Sequence, residues 1–230
     1  VLGESKLPSV TSILDATKSE EDKAALANWR ERTGQKEAEA ITKAASSRGS
    51  KMHNYLESFL LGRENLSFFE DGEQYKSMAK EIIDKGLKNR LEEIWGVECT
   101  LYYPEKYAGT ADCVGVYEGQ PCIIDFKQSN NPKKKSQCED YFNHAAAYAM
   151  AHNDMYGTTI NAGLVLVSVM GGEIQEFWLK PDEFKARCHN WLRKVDTYWR
   201  YHVPSSQPQA PRASDVLRPG DFEEFECPSF

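Results

Sequence analysis

Hydrophobic positions change their spacing near residue 96, and the change divides the chain. Before it, apolar residues recur at helical intervals. Leu7-Pro8-Ser9-Val10-Thr11 leads into a first helical pattern, and Ser19 followed by Glu21, Asp22 and Lys23 reads as the capped start of a second helix through Trp29. Over residues 46–61, Met52, Tyr55, Leu56, Phe59 and Leu60 fall on one face of a third helix, which Gly62 ends. Residues 75–93 continue the helical character. After the change, Val97, Cys99, Leu101 and Tyr103 alternate with Glu98, Thr100 and Tyr102, the period of a half-buried strand. Residues 109–117 and 121–127 follow as two more strands, completing a meander. Residues 137–153 form an Ala-rich helix, 161–170 a strongly apolar strand, and Gly171-Gly172 turns into a last strand, Glu173–Leu179. Pro181–His202 is a final helix, burying a stripe that includes Phe184, Cys188, Trp191, Leu192, Val195 and Trp199.

Helices, three strands, a helix, two strands and a helix predict an α/β or α+β layer structure with a mixed sheet. The expected organisation is one catalytic domain: a helical region over residues 1–95 packed on a core at 96–202, then a tail at 203–230. Half of the ten prolines fall in that tail, which reads as solvated. With 230 residues and 40% hydrophobic composition, the chain can bury one sizeable core. No apolar run is long enough to span a bilayer, so no membrane partner is expected.

Charge and cysteine usage narrow the environment. The net charge of -7 argues at first against a polyanionic partner, but the charge is unevenly spread. The tail holds five acids against two arginines, whereas residues 184–202 hold five Lys or Arg against Asp196 alone. Cysteines 99, 113, 122, 138, 188 and 227 form no CxxC pair or zinc-like spacing, which fits free thiols in an intracellular, reducing compartment. Residues 1–20 lack a signal-peptide or transit pattern, so no targeting segment is expected within this chain.

Candidate chemistry centres on one hairpin. If Glu118-Gly119 is a two-residue turn, Tyr117 pairs with Gln120 and the same register sets Asp112 opposite Asp125, with Cβ atoms roughly 5 Å apart. Two facing carboxylates weaken a sheet unless something neutralises them, and a divalent cation such as Mg²⁺ prefers such hard oxygen ligands. Lys127, two residues from Asp125, shares its face of the strand and brings an ammonium group beside them. Metal, carboxylates and lysine together form a hydrolytic constellation. The alternative is that Asp112 caps a turn or pairs with Lys127 while Ile123-Ile124-Asp125-Phe126-Lys127 simply leaves the core. An isolated Asp-x-Lys favours that alternative; the paired geometry, the preceding Gly109-Thr110-Ala111 and the following Lys133-Lys134-Lys135 favour the site. A turn one residue longer would break the register. The three lysines read either as phosphate contacts or as a solvated loop, and Arg30, Arg32 and the arginines of the last helix are weaker candidates.

Glu98 followed by GTADCVGVYEGQPCIIDFK at residues 109–127 resembles the core of the PD-(D/E)xK nucleases, in their RecB-like exonuclease branch. Asp112 matches the first acid, and Asp125-Phe126-Lys127 the D-x-K element. Upstream, Arg48-Gly49-Ser50-Lys51-Met52-His53 with Glu57 resembles the G-x-x-x-H-x-x-x-E helix that supplies a histidine ligand in RecB-like members. The resemblance implies a metal shell of His53, Asp112, Asp125 and the main-chain carbonyl of Phe126, with Glu98 and Glu57 in support. Where that branch carries Q-x-x-x-Y on the helix after the core, this chain has His144 and Tyr148. From Leu7 to near His202 the chain is similar to mitochondrial and phage-encoded exonucleases of the branch, through LPSVTSIL, the Asp112-Cys113-Val114 step and HAAAYAMAHND from His144. That similarity implies a restriction-endonuclease-like core with a central mixed sheet flanked by helices. It implies a Mg²⁺- or Mn²⁺-dependent DNA exonuclease preferring single strands or single-stranded ends, monomeric, in DNA replication, recombination or repair. The N-terminal helices would arch over the site, and the setting would be a phage-infected host cytoplasm or a mitochondrion. A flap or junction endonuclease and a non-catalytic nucleic-acid-binding module remain alternatives on the same fold. The iron-sulfur cluster of some relatives is not expected, because no Cys precedes Cys99 and Cys188 and Cys227 lie far apart.

Overall fold

A computed structural model describes residues 7–63 and 73–202, so the tail expected over residues 203–230 lies outside the described residues. The elements are α1 (Val10–Ala16), α2 (Glu20–Thr33), α3 (Gln35–Leu60), α4 (Gln74–Glu81), β1 (Leu91–Tyr103), β2 (Tyr107–Tyr117), β3 (Gln120–Ser129), α5 (Glu139–Tyr156), β4 (Gly163–Val169), β5 (Glu173–Leu179) and α6 (Pro181–His202). The five strands form a sheet in chain order, with β3 and β4 parallel and the other neighbours antiparallel. A parallel pair needs a crossover, and α5 supplies it. This is the α/β architecture with a mixed sheet that the pattern predicts. Among the described residues no helix is long and apolar enough to cross a membrane.

Two apolar layers clamp the sheet. On one face, Val10 and Ile13 of α1, Phe142 and Ala145 of α5 and Trp191 and Val195 of α6 pack on Val114, Ile123, Val165 and Val167. On the other, Met52 and Leu56 of α3 and Met78 of α4 pack on Cys113, Ile124, Phe126, Leu164 and Leu166. Every residue of β4 is therefore buried, which is why that strand reads as an unbroken apolar run. Burying a side chain such as Leu56 or Ile124 contributes about 1.5–3 kcal/mol. By contrast, α2 has no buried side chain, and Ala38 is the sole buried residue of α3 before Met52.

Three elements depart from the pattern. The third helix begins at Gln35, far ahead of residue 46, because its first half is held by good helix formers rather than by a buried face. The helical span expected over residues 75–93 stops earlier: α4 continues through a π turn at Ile82–Leu87, and β1 already begins at Leu91. Register shifts between Leu91 and Glu93 and between Ile94 and Gly96 scramble the alternation there, so strand periodicity emerges only from Val97. The crossover helix runs to Tyr156 and closes on Gly157 in the left-handed conformation.

The hairpin adopts the expected register. Glu118 and Gly119 both have positive φ, 49° and 77°, as a tight hairpin turn of this type requires. Pairs run from Tyr117 with Gln120 to Cys113 with Ile124. Arg90 fastens the turn to the far edge of the sheet, with Nε donating to Glu118 at 2.7 Å and Nη2 to Glu176 at 2.9 Å. Past Cys113 and Ile124 the two strands part. β3 goes on beside β4 as far as Ser129 with Val169, whereas the start of β2 meets the N-terminal segment, the Ala108 N–H donating to the Pro8 carbonyl at 3.0 Å.

At Gly115 the bulged part of β1 approaches so closely that a Cβ would lie 2.1 Å from the Glu93 carbonyl oxygen. Gly115→Ala should therefore destabilise the protein by about 1–3 kcal/mol, measured as a lower urea midpoint; an unchanged midpoint would show that the bulge yields freely.

Candidate active site

The fork between β2 and β3 brings the predicted acids together. Asp112 stands where the hairpin ladder ends, and its Oδ2 accepts the Phe126 backbone N–H at 2.8 Å. On the other side of β2, Val97 pairs with Cys113 and Cys99 with Ala111, which puts Glu98 opposite Asp112. Glu98, Asp112 and Asp125 thus lie in a row across three strands. Glu98 holds a φ of 46°, in the left-handed region that costs a non-glycine residue free energy and clusters at functional sites.

His53 reaches the row from α3. Its Nδ1 is 3.5 Å from Asp112 Oδ1 and 3.8 Å from Glu98 Oε1, and its ring meets Phe126 edge to face at 6.5 Å. Burial opposes a charge on His53, but the Asp112 and Glu98 carboxylates outweigh it and push the imidazole up to about 10. Ligand atoms of His53, Glu98 and Asp112 all lie within 4.8 Å of one another. Ligands about 2.1 Å from one octahedral cation are about 3–4 Å apart, so the group needs little contraction to hold one. One imidazole and two hard carboxylates suit Mg²⁺ or Mn²⁺.

Asp125 and Lys127 form the other half. Lys127 Nζ lies 2.6 Å from Asp125 Oδ2 and donates to the Phe126 carbonyl at 3.2 Å, so that carbonyl and the second acid both face the ammonium group rather than His53. Burial raises the Asp125 pKa, and the Asp112 charge adds to the rise against the pull of Lys127. Burial also pushes Asp112 upward, but Lys127 and His53 outweigh it and hold that carboxyl below its ordinary value. Lys127 shows the converse balance: burial disfavours its charge, yet Asp125 and Asp112 raise its pKa and keep it an ammonium ion.

The remaining candidates divide. His144 and Tyr148 occupy successive turns of α5 with rings 5.9 Å apart, and both feel the charges of Asp125 and Asp112. Burial lowers the His144 pKa despite those charges. A Cβ at Gly109 would lie 2.9 Å from the Tyr148 hydroxyl, so the glycine makes room for that tyrosine. Glu57, one turn beyond His53, is turned to Arg63 at 3.2 Å. Lys135 is neutralised by Glu183, with Nζ 2.8 Å from each carboxylate oxygen, and Lys134 is exposed. Lys133 is half-buried, its Nζ 5.8 Å from the centre of the Tyr141 ring.

Two residues without an assigned role enter the site. The Tyr141 ring has both the Lys127 Nζ, at 5.4 Å, and the Lys133 Nζ, at 5.8 Å, within cation–π distance of its centre. An aromatic beside Phe142 at the start of an Ala-rich helix carries no signal of this. Arg48 ties α3 to β3 and α4, donating to Gln128 at 2.8 Å, Asn130 at 2.6 Å and Gln74 at 3.1 Å. It fixes the axial position of the helix that carries His53.

Among curated proteins, the chain is 28% identical to mitochondrial genome maintenance exonuclease 1 of Mus musculus, across 90% of this chain and 63% of that protein. The proteins of the same name from Homo sapiens and Xenopus tropicalis are each 28% identical across 84% of this chain, and 58% and 57% of their own lengths. The chain spans about three fifths of the length of these relatives. No protein-family model matches it. A solved structure from Eubacterium rectale superposes with a TM-score of 0.42 and 12% identity over 71% of this chain and 77% of that one, too loosely to weigh.

Cation binding at His53, Glu98 and Asp112 requires His53 to release its proton, so the apparent affinity should rise with pH towards about 10. Mg²⁺ at about 100 times its Kd should add about 2.7 kcal/mol to stability. Calorimetry should show a larger rise in Tm at pH 9 than at pH 7 for a fixed Mg²⁺ concentration, and no rise in Asp112→Asn. A Tm indifferent to Mg²⁺ would exclude the site.

Proposed function

We propose that this chain is a metal-dependent deoxyribonuclease of the PD-(D/E)xK type, digesting single-stranded DNA from its ends during genome maintenance. The observation that carries the reading is the convergence of His53, Glu98 and Asp112 beside the buried Asp125 and Lys127 pair. The names of the relatives, exonucleases of genome maintenance, support its refinement.

In this reading His53, Glu98 and Asp112 would hold Mg²⁺ or Mn²⁺, while Asp125 and the Phe126 carbonyl stay with Lys127. When bound, the cation supplies Lewis acidity to a phosphoryl oxygen and acidifies a water molecule. Lys127, kept charged by the acids around it, offsets the negative charge that gathers on the phosphate as it is attacked. Asp125, whose burial raises its proton affinity, is placed to accept a proton from the attacking water. Lys133 and Tyr141 flank the phosphate, and His144 and Tyr148 orient the strand from α5.

An end-labelled single strand should be degraded with Mg²⁺ or Mn²⁺ while a circular single strand of the same sequence survives. Cleavage of the circle would mean endonuclease action, and survival of both would end the enzyme reading. Asp125→Asn and Lys127→Ala should each lower the rate by about 10²–10³-fold or more while still binding DNA in a filter-retention assay.

A further inference from the structure

The aromatic face of α5 continues past the carboxylates. His144, Tyr148, His152 and Tyr156 recur at every fourth residue and so share one side of the helix. His152 and Tyr156 have ring centres 4.7 Å apart, and Trp95 from β1 stacks on His152 at 24° and 6.3 Å. Trp95 is the residue displaced by the register shift between Ile94 and Gly96, and such a bulge re-aims its side chain. Between the two elements lies a cavity of about 350 Å³ lined by Trp95, Gly96, Cys99, His152, Tyr156 and Thr158. Among the described residues Trp95 is 42% exposed and Tyr156 60%. The Trp95 and His152 rings are held by hydrogen bonds: Trp95 Nε1 donates to Glu93 at 2.8 Å, and His152 Nδ1 is bonded to Thr158 Oγ1 at 2.8 Å.

We propose that this cavity is a nucleobase-stacking subsite for the single strand cut at the carboxylates, an inference that rests on the function proposed above. Three features point to a base rather than to a phosphate or a protein segment. Neither Lys nor Arg lines the cavity, so it offers ring faces and no counter-charge. Two of its three rings, Trp95 and His152, are pinned by hydrogen bonds, which suits a flat ligand bound by stacking. It also lies within reach of the site: Trp95 is three residues from Glu98 along β1, about 10 Å, or two to three stacked nucleotides at about 3.4 Å each. Phosphates are held at the Lys127 and Lys133 end and bases at the Trp95 end. Every base has a π face, so the subsite grips without reading sequence.

Fluorescence anisotropy of labelled oligothymidylate with the whole chain in EDTA, together with KM for its degradation in Mg²⁺, tests the proposal. For a strand of about twelve nucleotides, Trp95→Ala and Tyr156→Ala should each weaken binding and raise KM by about tenfold, the usual worth of one base–aromatic stack. Trp95→Phe should restore most of the loss. A strand of about three nucleotides should show a smaller deficit. An abasic spacer at the matching position should weaken wild type but not Trp95→Ala. Both side chains are exposed, and an intact Mg²⁺-dependent rise in Tm certifies that each variant is folded. Wild-type binding and KM in the Trp95→Ala Tyr156→Ala double variant would overturn the subsite alone. Failure of the wild-type chain to bind or degrade DNA would overturn the proposed function and the subsite with it.

Discussion

The hydrogen bond from the Phe126 N–H to the Asp112 carboxylate is the constraint around which the molecule is arranged. A buried N–H must find an acceptor, and where a hairpin ladder ends that requirement usually keeps the strands together or sends them to water. Here a charged side chain takes the place of a ladder carbonyl, in a stronger, charge-assisted bond. β3 can thereby leave β2 while staying on β4, which it already borders from Ile123, and the edge of β2 that β3 vacates meets the segment at Pro8 and Ser9. The opening admits His53 from the α3 layer and His144 and Tyr148 from the α5 layer to one set of carboxylates. An ordinary hairpin continued for two more pairs would close the space.

Three acids in a row across adjacent strands are an electrostatic liability. Removing one member of a buried charge group commonly costs more than the group contributes, because its partners are left uncompensated. Positive charge meets the row from two sides: the His53 imidazole, whose hold on a proton the Glu98 and Asp112 carboxylates strengthen, and the ammonium of Lys127 against Asp125. The two differ in kind. Lys127 is ringed by the Phe126 carbonyl, Asp125 and the Tyr141 face, which hold its charge in place. His53 stands where ligand atoms of His53, Glu98 and Asp112 lie close together, a group that could hold a divalent ion in place of a proton. Stability of the row and readiness to bind a cation are therefore one property seen in two states.

Much of this was legible in the sequence because it depends on local rules. Glu118-Gly119 fixed the hairpin register, and the register brought Asp112 towards Asp125 and set Lys127 on the same face. β5 and α6 followed from clean periodicities. What escaped is what depends on distant contacts. Glu98 was named from the resemblance, but its place opposite Asp112 follows only from the β1 and β2 register, and two bulges upstream hide that strand's start. The first half of α3 carries almost no apolar stripe, so hydrophobic periodicity had nothing to detect. Tyr141 owes its place to two lysines that reach it from β3 and from the loop after it, a meeting that no spacing within α5 announces. Lys135 stood in a run of three like charges, and nothing in the run singled it out as the one that Glu183 would neutralise.

The bulges of β1 have an effect on the company the protein keeps. β1 and β5 are the outer strands of the sheet, and β1, with thirteen residues, is the longest strand. A long straight outer strand exposes a row of amide groups on which a second copy, or a misfolded neighbour, can add a strand and seed precipitation. Two interruptions within six residues, with Glu92 and Glu93 exposed between them, leave no straight stretch at that end for another chain to template upon. The irregularity that re-aims Trp95 thus also removes a straight edge on which another strand could add.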